Sequence, residues 1–379
     1  MRARAVVSLL CALFLVSCGA PETAIAPTIG GMAPAGTAGD LYFHRFADAL
    51  TAATDGKLKP ELLTRRELGA DEQIFSALRR GRIQLAINGA YVLSTAVPEF
   101  AVLGMPFLFE SETEIDFLLD RYITPPLADR LEANGIKLLS FMPMGWINFY
   151  GVKPLLTPSE IKGLRLRQAN DLANRGFAQH LQADVIPLPG SEVIGALQTG
   201  LAEAGTTVTL NYLWSGLAGY APHFTVTQHA FLFNAFSANL AWWESLSPTQ
   251  QQAVLASLPP ERYFIGLMRE AECKDIGEYI AKGVKVHLLK PAQRRAWAAA
   301  AQGSHEAILD SLGPSARETY ARIQEGKAAF RVESGQNPLR GITRCEALNH
   351  ESSDLSSLDK AGPEASIRRA IGRRSAKAS

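Results

Sequence analysis

Residues 164–189, "LRLRQANDLANRGFAQHLQADVIPLP", decide the fold class because they combine three short patterns in a fixed order. The opening "LRLRQA" alternates leucine with arginine, which is the period-two pattern of a β-strand. "DLANRGFAQHLQA" then predicts a helix, and "DVIPLP" predicts a second strand. Short apolar strands continue to alternate with helices on both sides of this stretch, so the sequence predicts an α/β fold.

The arginines of the first strand raise a question about function. Leu164 and Leu166 lie on one face of the predicted strand, and Arg165 and Arg167 lie on the other. The arginine face is either solvated, or it points at least one guanidinium into a cleft that binds an anion. A guanidinium suits the second role, since its planar fork binds a carboxylate through two hydrogen bonds and stays charged when desolvated.

Composition places the chain among ordinary globular proteins. It has 379 residues, of which 47% are hydrophobic and 20% are charged, enough for one large domain or two smaller ones. The formal net charge is only +1, and no block of lysine and arginine is interleaved with aromatic residues. We therefore expect no nucleic-acid partner, and no general attraction to a membrane surface.

The N-terminus predicts export. Arg2 and Arg4 precede the apolar run "AVVSLLCALFLVSC" (5–18), which is too short to span a bilayer and is typical of a signal peptide. The run ends in "LVSC" (15–18), which resembles a bacterial lipobox. This favours a signal peptide over residues 1–17, a lipid anchor on Cys18 and attachment to a membrane. A conventional signal peptide is the alternative, and both interpretations predict a periplasmic or extracytoplasmic protein.

Common catalytic and metal-binding motifs are missing from the sequence. Besides Cys11 and Cys18 only Cys273 and Cys345 remain, so no disulfide framework is predicted. No GxSxG, CxxC, HExxH or P-loop pattern occurs, and the seven histidines are not spaced as metal ligands. These missing patterns make an enzyme less expected, although catalytic residues can also come from distant parts of a chain, and they predict no cofactor and no metal site.

Five blocks of sequence, in a fixed order, carry the main functional signal. They are "ELGADEQIFSALRRGRIQLAI" (67–87), "VPEFAVLGMPFLFESETE" (97–114), "LLTPSEIKGLRLRQAN" (155–170), "LPGSEVIGALQTGLAEAG" (188–205) and "NLAWWESLSPTQQQAVL" (239–255). All five resemble blocks of the solute-binding proteins of TRAP transporters, which include bacterial dicarboxylate-type periplasmic receptors. The resemblance covers roughly residues 41–289, and it rests on the order of the blocks more than on any one of them.

The resemblance implies a fold and a function. It implies two α/β lobes of the periplasmic-binding-protein type around an interlobe cleft, with a long helix that crosses both lobes. Residues 261–283 are the candidate for that helix. We expect lobe I to comprise 20–144 and 233–272, lobe II 145–232 and 273–333, and residues 334–379 to form a polar, disordered tail. Such a receptor closes on a small organic acid and delivers it to a membrane permease.

The same resemblance assigns ligand contacts. In the family, the second basic residue of the block around "KGLRLR" contributes the arginine that clamps the ligand carboxylate, which here is Arg167. Arg165 is expected at the surface. Thr207 stands where the family often has a ligand-binding asparagine, and its hydroxyl can partly replace that side chain. Further expected contacts are Asn148, Trp146, Glu72, Asn88, Tyr91 and Trp214. Glu72 is equally well explained by the preference for acidic residues at a helix N-terminus.

The sequence also departs from the family pattern. Ile147, in "GWIN" (145–148), stands where many family members carry a second arginine. Loss of that charge favours a monocarboxylate, or a larger and more apolar acid, over a dicarboxylate or a sialic-acid-like ligand. One alternative function is a ligand-sensing lipoprotein that partners a membrane sensor kinase. Another is an exported hydrolase on the same scaffold, which the missing nucleophile motifs disfavour.

Overall fold

The computed structural model describes residues 26–259, 277 and 280–334. Its strands belong to one mixed sheet. They are β1 (Thr28–Gly30), β2 (Glu61–Leu63), β3 (Leu85–Gly89), β4 (Ile136–Gly151), β5 (Arg165–Gln168), β6 (Asp184–Pro187), β7 (Ala204–Val208), β8 (His223–Asn239) and β9 (Lys285–Leu288). Their order is β2-β1-β3-β8-β4-β7-β5-β6, and β9 pairs with β8.

Helices follow most of the strands, as the alternating pattern predicted. They are α1 (Ala38–Ala53), α2 (Asp71–Arg79), α3 (Ala90–Leu93), α4 (Glu112–Leu118), α5 (Thr124–Glu132), α6 (Leu172–His180), α7 (Val193–Gln198), α8 (Thr209–Trp214), α9 (Leu240–Ser245), α10 (Pro248–Ala256), α11 (Pro291–Leu312) and α12 (Pro314–Ser334). A 3-10 turn spans Pro98–Gly104, and a π-helical turn, Leu119–Ile123, joins α4 to α5.

Two long antiparallel strands connect the two halves of the sheet. Strand β3 pairs with residues 234–238 of β8, whereas β7 pairs with residues 147–151 of β4. The first half of the sheet thus contains β1, β2 and β3, and the second half contains β5, β6, β7 and β9. Strands β4 and β8 run through both halves, so any movement of one half against the other must bend these two strands.

The pairing of β4 with β8 is interrupted where the strands enter the second half. Ile147 pairs with Ala230 while Phe149 pairs with Thr225, so Asn148 alone stands opposite residues 226–229 of β8. Gln228, inside this bulge, has a positive φ of 46°, which is uncommon for a residue other than glycine. Because a bulge interrupts the ladder of hydrogen bonds, we expect bending of the two strands to occur there.

Burial of apolar faces explains how the βαβ unit at 164–189 packs. Leu166 of β5 is fully buried, as the alternating pattern predicts, and packs in the largest core cluster with Phe177 of α6 and Trp297 of α11. The indole of Trp297 also donates a hydrogen bond to the carbonyl of Leu156 at 3.1 Å. This core holds β5, and therefore Arg167, in a fixed position.

The C-terminal helix packs against helices that come much earlier in the chain. Ile323 of α12 shares the largest core cluster with Ile115 and Leu118 of α4. Beside them, the ammonium of Lys327 lies 2.8 Å from a carboxylate oxygen of Glu114, and both side chains are buried. The C-terminal helix α12 is therefore packed against α4, which follows strand β3 in the chain.

Several predictions concern residues outside the described ranges. They include the signal peptide (1–17), the lipidation site Cys18, most of the candidate long helix (261–283), and the tail beyond Ser334, the last residue of α12. The lobe boundaries remain a prediction. Over the described ranges, no helix combines the length and the apolar character needed to cross a membrane.

Candidate functional site

Arg167 is a buried cation at the carboxyl end of β5. Its side chain is 8% exposed, and its Nε donates a hydrogen bond to the carbonyl of Leu188 at 3.0 Å. Among the described residues, no carboxylate forms an ion pair with it. By contrast, Arg165 is exposed and pairs with Glu203 at 3.3 Å, as expected for a surface residue. Buried charges in proteins are normally paired. The guanidinium of Arg167 is therefore available to pair with an anionic ligand.

Tyr91, at the start of α3, connects the first half of the fold to Arg167. Its hydroxyl is near enough to the carboxyl group of Asp71 for each group to shift the pKa of the other. Burial and the charge of Asp71 raise the pKa of Tyr91 well above its usual value, whereas the positive charge of Arg167 acts in the opposite direction. Tyr91 therefore lies within electrostatic range of both charges and stays protonated at neutral pH.

Asp71 and Asn88 form a buried polar pair behind Tyr91. The Nδ2 of Asn88 donates to Oδ1 of Asp71 at 2.6 Å, and the backbone N–H of Gly89 donates to Oδ2 at 2.9 Å. Burial raises the pKa of Asp71 to about 6, although these donors favour the charged carboxylate. The Oδ1 of Asn88 is buried without a hydrogen-bond partner in the described part of the chain. Such an unsatisfied acceptor is a place where a ligand can donate.

These side chains lie at the ends of strands from the two halves of the sheet. Asn88 is near the carboxyl end of β3, and Arg167 is near the carboxyl end of β5. In open α/β sheets, ligands bind outside the carboxyl ends of the strands. Tyr91 links Arg167 to the pair formed by Asp71 and Asn88, and we call the neighbourhood of these four residues the Arg167 cleft.

Thr207 and Asn148 lie on neighbouring strands close to Arg167. Asn148 of β4 is directly opposite Thr207 of β7, and Gly205, two residues before Thr207, is opposite Arg167. Thr207 therefore shares a face with Arg167. The amide of Asn148 is already used within the bulge, since its Nδ2 donates to the carbonyl of Trp146 at 3.1 Å and its Oδ1 accepts from the backbone N–H of Gln228 at 2.9 Å.

The remaining predicted contacts are Trp146, Trp214 and Glu72. Trp146 is 5% exposed, and its ring packs edge-on against Phe231 at 5.0 Å, so core packing uses its surface. Trp214, at the end of α8, is 55% exposed. Glu72 is exposed on α2, where it lines a surface depression with Arg79. Its negative charge contributes to the raised pKa of Tyr91. In the described residues, neither tryptophan forms a cation–π pair with Arg167.

Two residues of the cleft region were missed by the sequence analysis. Asp71 is in the first turn of α2, where an acidic residue has an ordinary explanation. Tyr150 lies two residues beyond Asn148 and so faces the same side of β4. Period-two spacing from Asn148 was the signal that could have found it.

Comparison with known proteins decides the family. Residues 29–311 match the family model of the bacterial extracellular solute-binding proteins of family 7, DctP. The chain belongs to this family. The resemblance to TRAP-transporter solute-binding proteins, and the two-lobe α/β fold that it implied, are thereby confirmed.

Individual relatives agree with this result. The chain is 28% identical over 281 residues to the 2,3-diketo-L-gulonate-binding periplasmic protein YiaO of Escherichia coli, which covers 73% of this chain and 81% of YiaO. A TRAP periplasmic solute-binding protein from Roseobacter denitrificans, solved with β-D-glucuronate, superimposes with a TM-score of 0.74 at 22% identity, covering 79% of this chain and 99% of that one. The sugar acid binding protein DctPAm of Advenella mimigardefordensis, solved with galactonate, gives 0.74 at 21% identity, with coverage of 79% and 98%.

This family-7 protein is therefore a solute-binding receptor of the TRAP type. The family works outside the cytoplasm, as its description and the periplasmic relatives indicate. The comparisons lend no support to the alternative of a partner for a sensor kinase.

The position of Asn148 yields a testable expectation about stability. In Asn148→Ala, the backbone N–H of Gln228 loses its acceptor, and the free energy of unfolding should fall by about 1–3 kcal/mol. Urea denaturation measures this loss. Ser237→Ala is the matched control, because the buried hydroxyl of Ser237 in β8 has no hydrogen-bond partner in the described residues and its removal should cost little. Equal stability of wild type and Asn148→Ala would show that the hydrogen bond from Gln228 to Asn148 does not stabilise the fold.

Proposed function

We propose that this receptor binds a hydroxylated monocarboxylic acid, such as a sugar acid, with Arg167 as the electrostatic anchor. The observation that carries the proposal is the buried guanidinium of Arg167, which has no carboxylate partner among the described residues. A ligand carboxylate can accept two parallel hydrogen bonds from the Nη atoms of such a group. Thr207 shares its face of the sheet and is the next candidate contact.

The charges around the cleft support a single carboxylate. Ile147, which stands where many family members carry a second arginine, is 8% exposed and packs with Val208 and Ala230. One guanidinium therefore remains for the ligand. The Oδ1 of Asn88 is a buried acceptor without a partner in the described residues, and a hydroxyl group on the ligand can donate to it. The three relatives named above bind 2,3-diketo-L-gulonate, β-D-glucuronate and galactonate, each a sugar acid with one carboxylate.

Transport follows from closure of the cleft. A ligand that contacts both halves of the fold stabilises the closed state by its difference in affinity for the open and closed states. The closed receptor then delivers its ligand to a TRAP membrane permease. We further propose that the protein acts only as a receptor and not as an enzyme, and that Cys18 anchors it to the membrane.

A thermal-shift screen tests this function. Protein comprising residues 19–379 is heated with 2,3-diketo-L-gulonate, D-glucuronate, D-galactonate or succinate. A sugar acid at 100 times its dissociation constant should stabilise the protein by about 2.7 kcal/mol, and succinate should have a smaller effect. The absence of any shift with all four acids would contradict an acid receptor. A larger shift with succinate would contradict the preference for one carboxylate.

Acidity should strengthen binding of the sugar acid. Burial raises the pKa of Asp71 to about 6, so this carboxyl group gains a proton between neutral and mildly acidic pH and no longer repels the ligand. A free carboxylate with a pKa of about 4 stays ionised over this range. We expect affinity to rise roughly fivefold, or about 1 kcal/mol, from pH 7.5 to 5.5. Calorimetric titrations at several pH values measure it.

Asp71→Asn provides the matched control for the pH dependence. The variant carries no titratable group at this position, so its affinity should change little over the same range of pH. If wild type and Asp71→Asn show the same pH profile, another group is responsible, and the placement of Asp71 beside the ligand is wrong.

A further inference from the structure

Tyr150, Gly205 and Arg167 form one row across three neighbouring strands. Tyr150 of β4 is directly opposite Gly205 of β7, and Gly205 is directly opposite Arg167 of β5. Side chains of directly opposed residues project from the same face of a sheet. Tyr150 and Arg167 therefore share a face, and the residue between them has no side chain.

The glycine in the middle of the row lets the tyrosine reach toward the arginine. A Cβ atom at Gly205 would lie 2.2 Å from the hydroxyl oxygen of Tyr150. The ring of Tyr150 thus crosses directly over Gly205, in the direction of β5. Any larger residue at position 205 would displace the Tyr150 hydroxyl from this place.

Both polar groups at the ends of this row have unused hydrogen-bonding capacity. Tyr150 is 1% exposed, and its hydroxyl has no hydrogen-bond partner in the described part of the protein. Arg167 uses its Nε on the carbonyl of Leu188 and is otherwise without a hydrogen bond to a described residue. A buried hydroxyl normally has a partner, so an unpartnered one beside a buried cation points to a missing third group.

We propose that Tyr150 donates a hydrogen bond to the same ligand carboxylate that Arg167 binds, and so replaces the second arginine that is absent at Ile147. This proposal rests on the function proposed above. A carboxylate has about four acceptor sites, and a bidentate guanidinium uses two of them. A phenol hydroxyl can donate to one of the others. Burial raises the pKa of Tyr150 to about 12, while the nearby charge of Arg167 acts to lower it, so the hydroxyl keeps its proton and can donate.

The ring of Tyr150 has a separate packing role. It packs in a cluster with Val193, Phe224 and Tyr212, and the rings of Tyr150 and Tyr212 lie 6.1 Å apart. Replacement by phenylalanine keeps this packing and removes only the hydroxyl. Tyr212→Phe is a matched control in the same cluster, because the hydroxyl of Tyr212 donates to the carbonyl of Ala221 at 2.7 Å.

Calorimetry on the full receptor, with the sugar acid of the four-acid panel that binds wild type most tightly, tests the proposal. Tyr150→Phe should raise the dissociation constant roughly 10- to 100-fold, the loss expected for a hydrogen bond to a charged group. Its melting temperature should not fall, because no protein partner loses a hydrogen bond. Tyr212→Phe should bind within about twofold of wild type.

The outcomes separate this inference from the proposed function. If Arg167→Ala abolishes binding but Tyr150→Phe binds like wild type, the role of Tyr150 is wrong and the receptor function stands. Equal losses in Tyr150→Phe and Tyr212→Phe would also overturn it, because a general effect on the cluster would then explain both. If no acid of the panel binds wild type, the proposed function fails and this inference fails with it.

Discussion

Replacement of Arg167 by alanine is expected to abolish measurable binding of the organic acid. Truncating one partner of a buried, hydrogen-bonded charge pair typically costs ~2–5 kcal/mol, or a factor of roughly 30 to 5,000 in the dissociation constant. The structure supports the upper part of this range, because Arg167 is 8% exposed and water can screen little of its charge. Isothermal titration calorimetry of the variant and of wild type measures the loss.

Two further variants define what the loss means. Arg167→Lys keeps the charge but loses the planar fork, so its affinity should lie between those of wild type and Arg167→Ala. Arg165→Ala removes the neighbouring exposed arginine, which pairs with Glu203, and should leave affinity nearly unchanged. Retention of wild-type affinity by Arg167→Ala would refute the assignment of the anchor, even if the protein still binds acids.

The fold was predictable where local sequence patterns decide local structure. Alternation in "LRLRQ" correctly placed Leu166 in the core. The acidic and basic ends of "DEQIFSALRR" coincide almost to the residue with the ends of α2. Proline favours an edge strand, and Pro60 directly precedes β2 at the edge of the sheet. Each of these signals acts over a few residues, which is why one sequence suffices to read it.

The irregular part of the sheet was not predictable in this way. Asn148 was predicted to contact the ligand from its place in "GWIN". The structure adds a second role, because its amide satisfies the backbone of a bulge formed by residues 226–229, far along the chain. Which residues bulge depends on the pairing register of two long strands, and no local pattern encodes that register.

Local sequence patterns also failed to predict some of the polar residues of the cleft. Arg167 was recognised because the family pattern marks it. Its burial without an ion pair in the described chain now gives a physical reason for assigning it as the ligand anchor. Asp71 and Tyr150 were missed, because a carboxylate at a helix start and a tyrosine in a strand both have ordinary explanations. Their roles depend on Asn88, Tyr91 and Gly205, which only the folded chain brings near them.

Replacement of Lys327 by methionine is expected to cause a large loss of stability, although Lys327 lies outside the cleft. Lys327 and Glu114 are 4% and 1% exposed, and the ammonium contacts both carboxylate oxygens at 2.8 and 3.0 Å. Without the lysine, the charge of Glu114 stays buried and unpaired, which costs about 3–5 kcal/mol. Equilibrium denaturation in urea measures the free energy of unfolding.

Matched variants separate a buried charge pair from simple loss of packing. Arg331→Met removes the neighbouring ion pair with Glu110, in which Arg331 is 50% exposed, and should cost no more than about 1 kcal/mol. The double variant Lys327→Met/Glu114→Gln removes both buried charges and should recover most of the stability lost in Lys327→Met. If the double variant is no more stable than the single one, packing and not charge explains the loss. The pair joins residues 213 positions apart, so these measurements also test whether α12 is docked on α4 in solution.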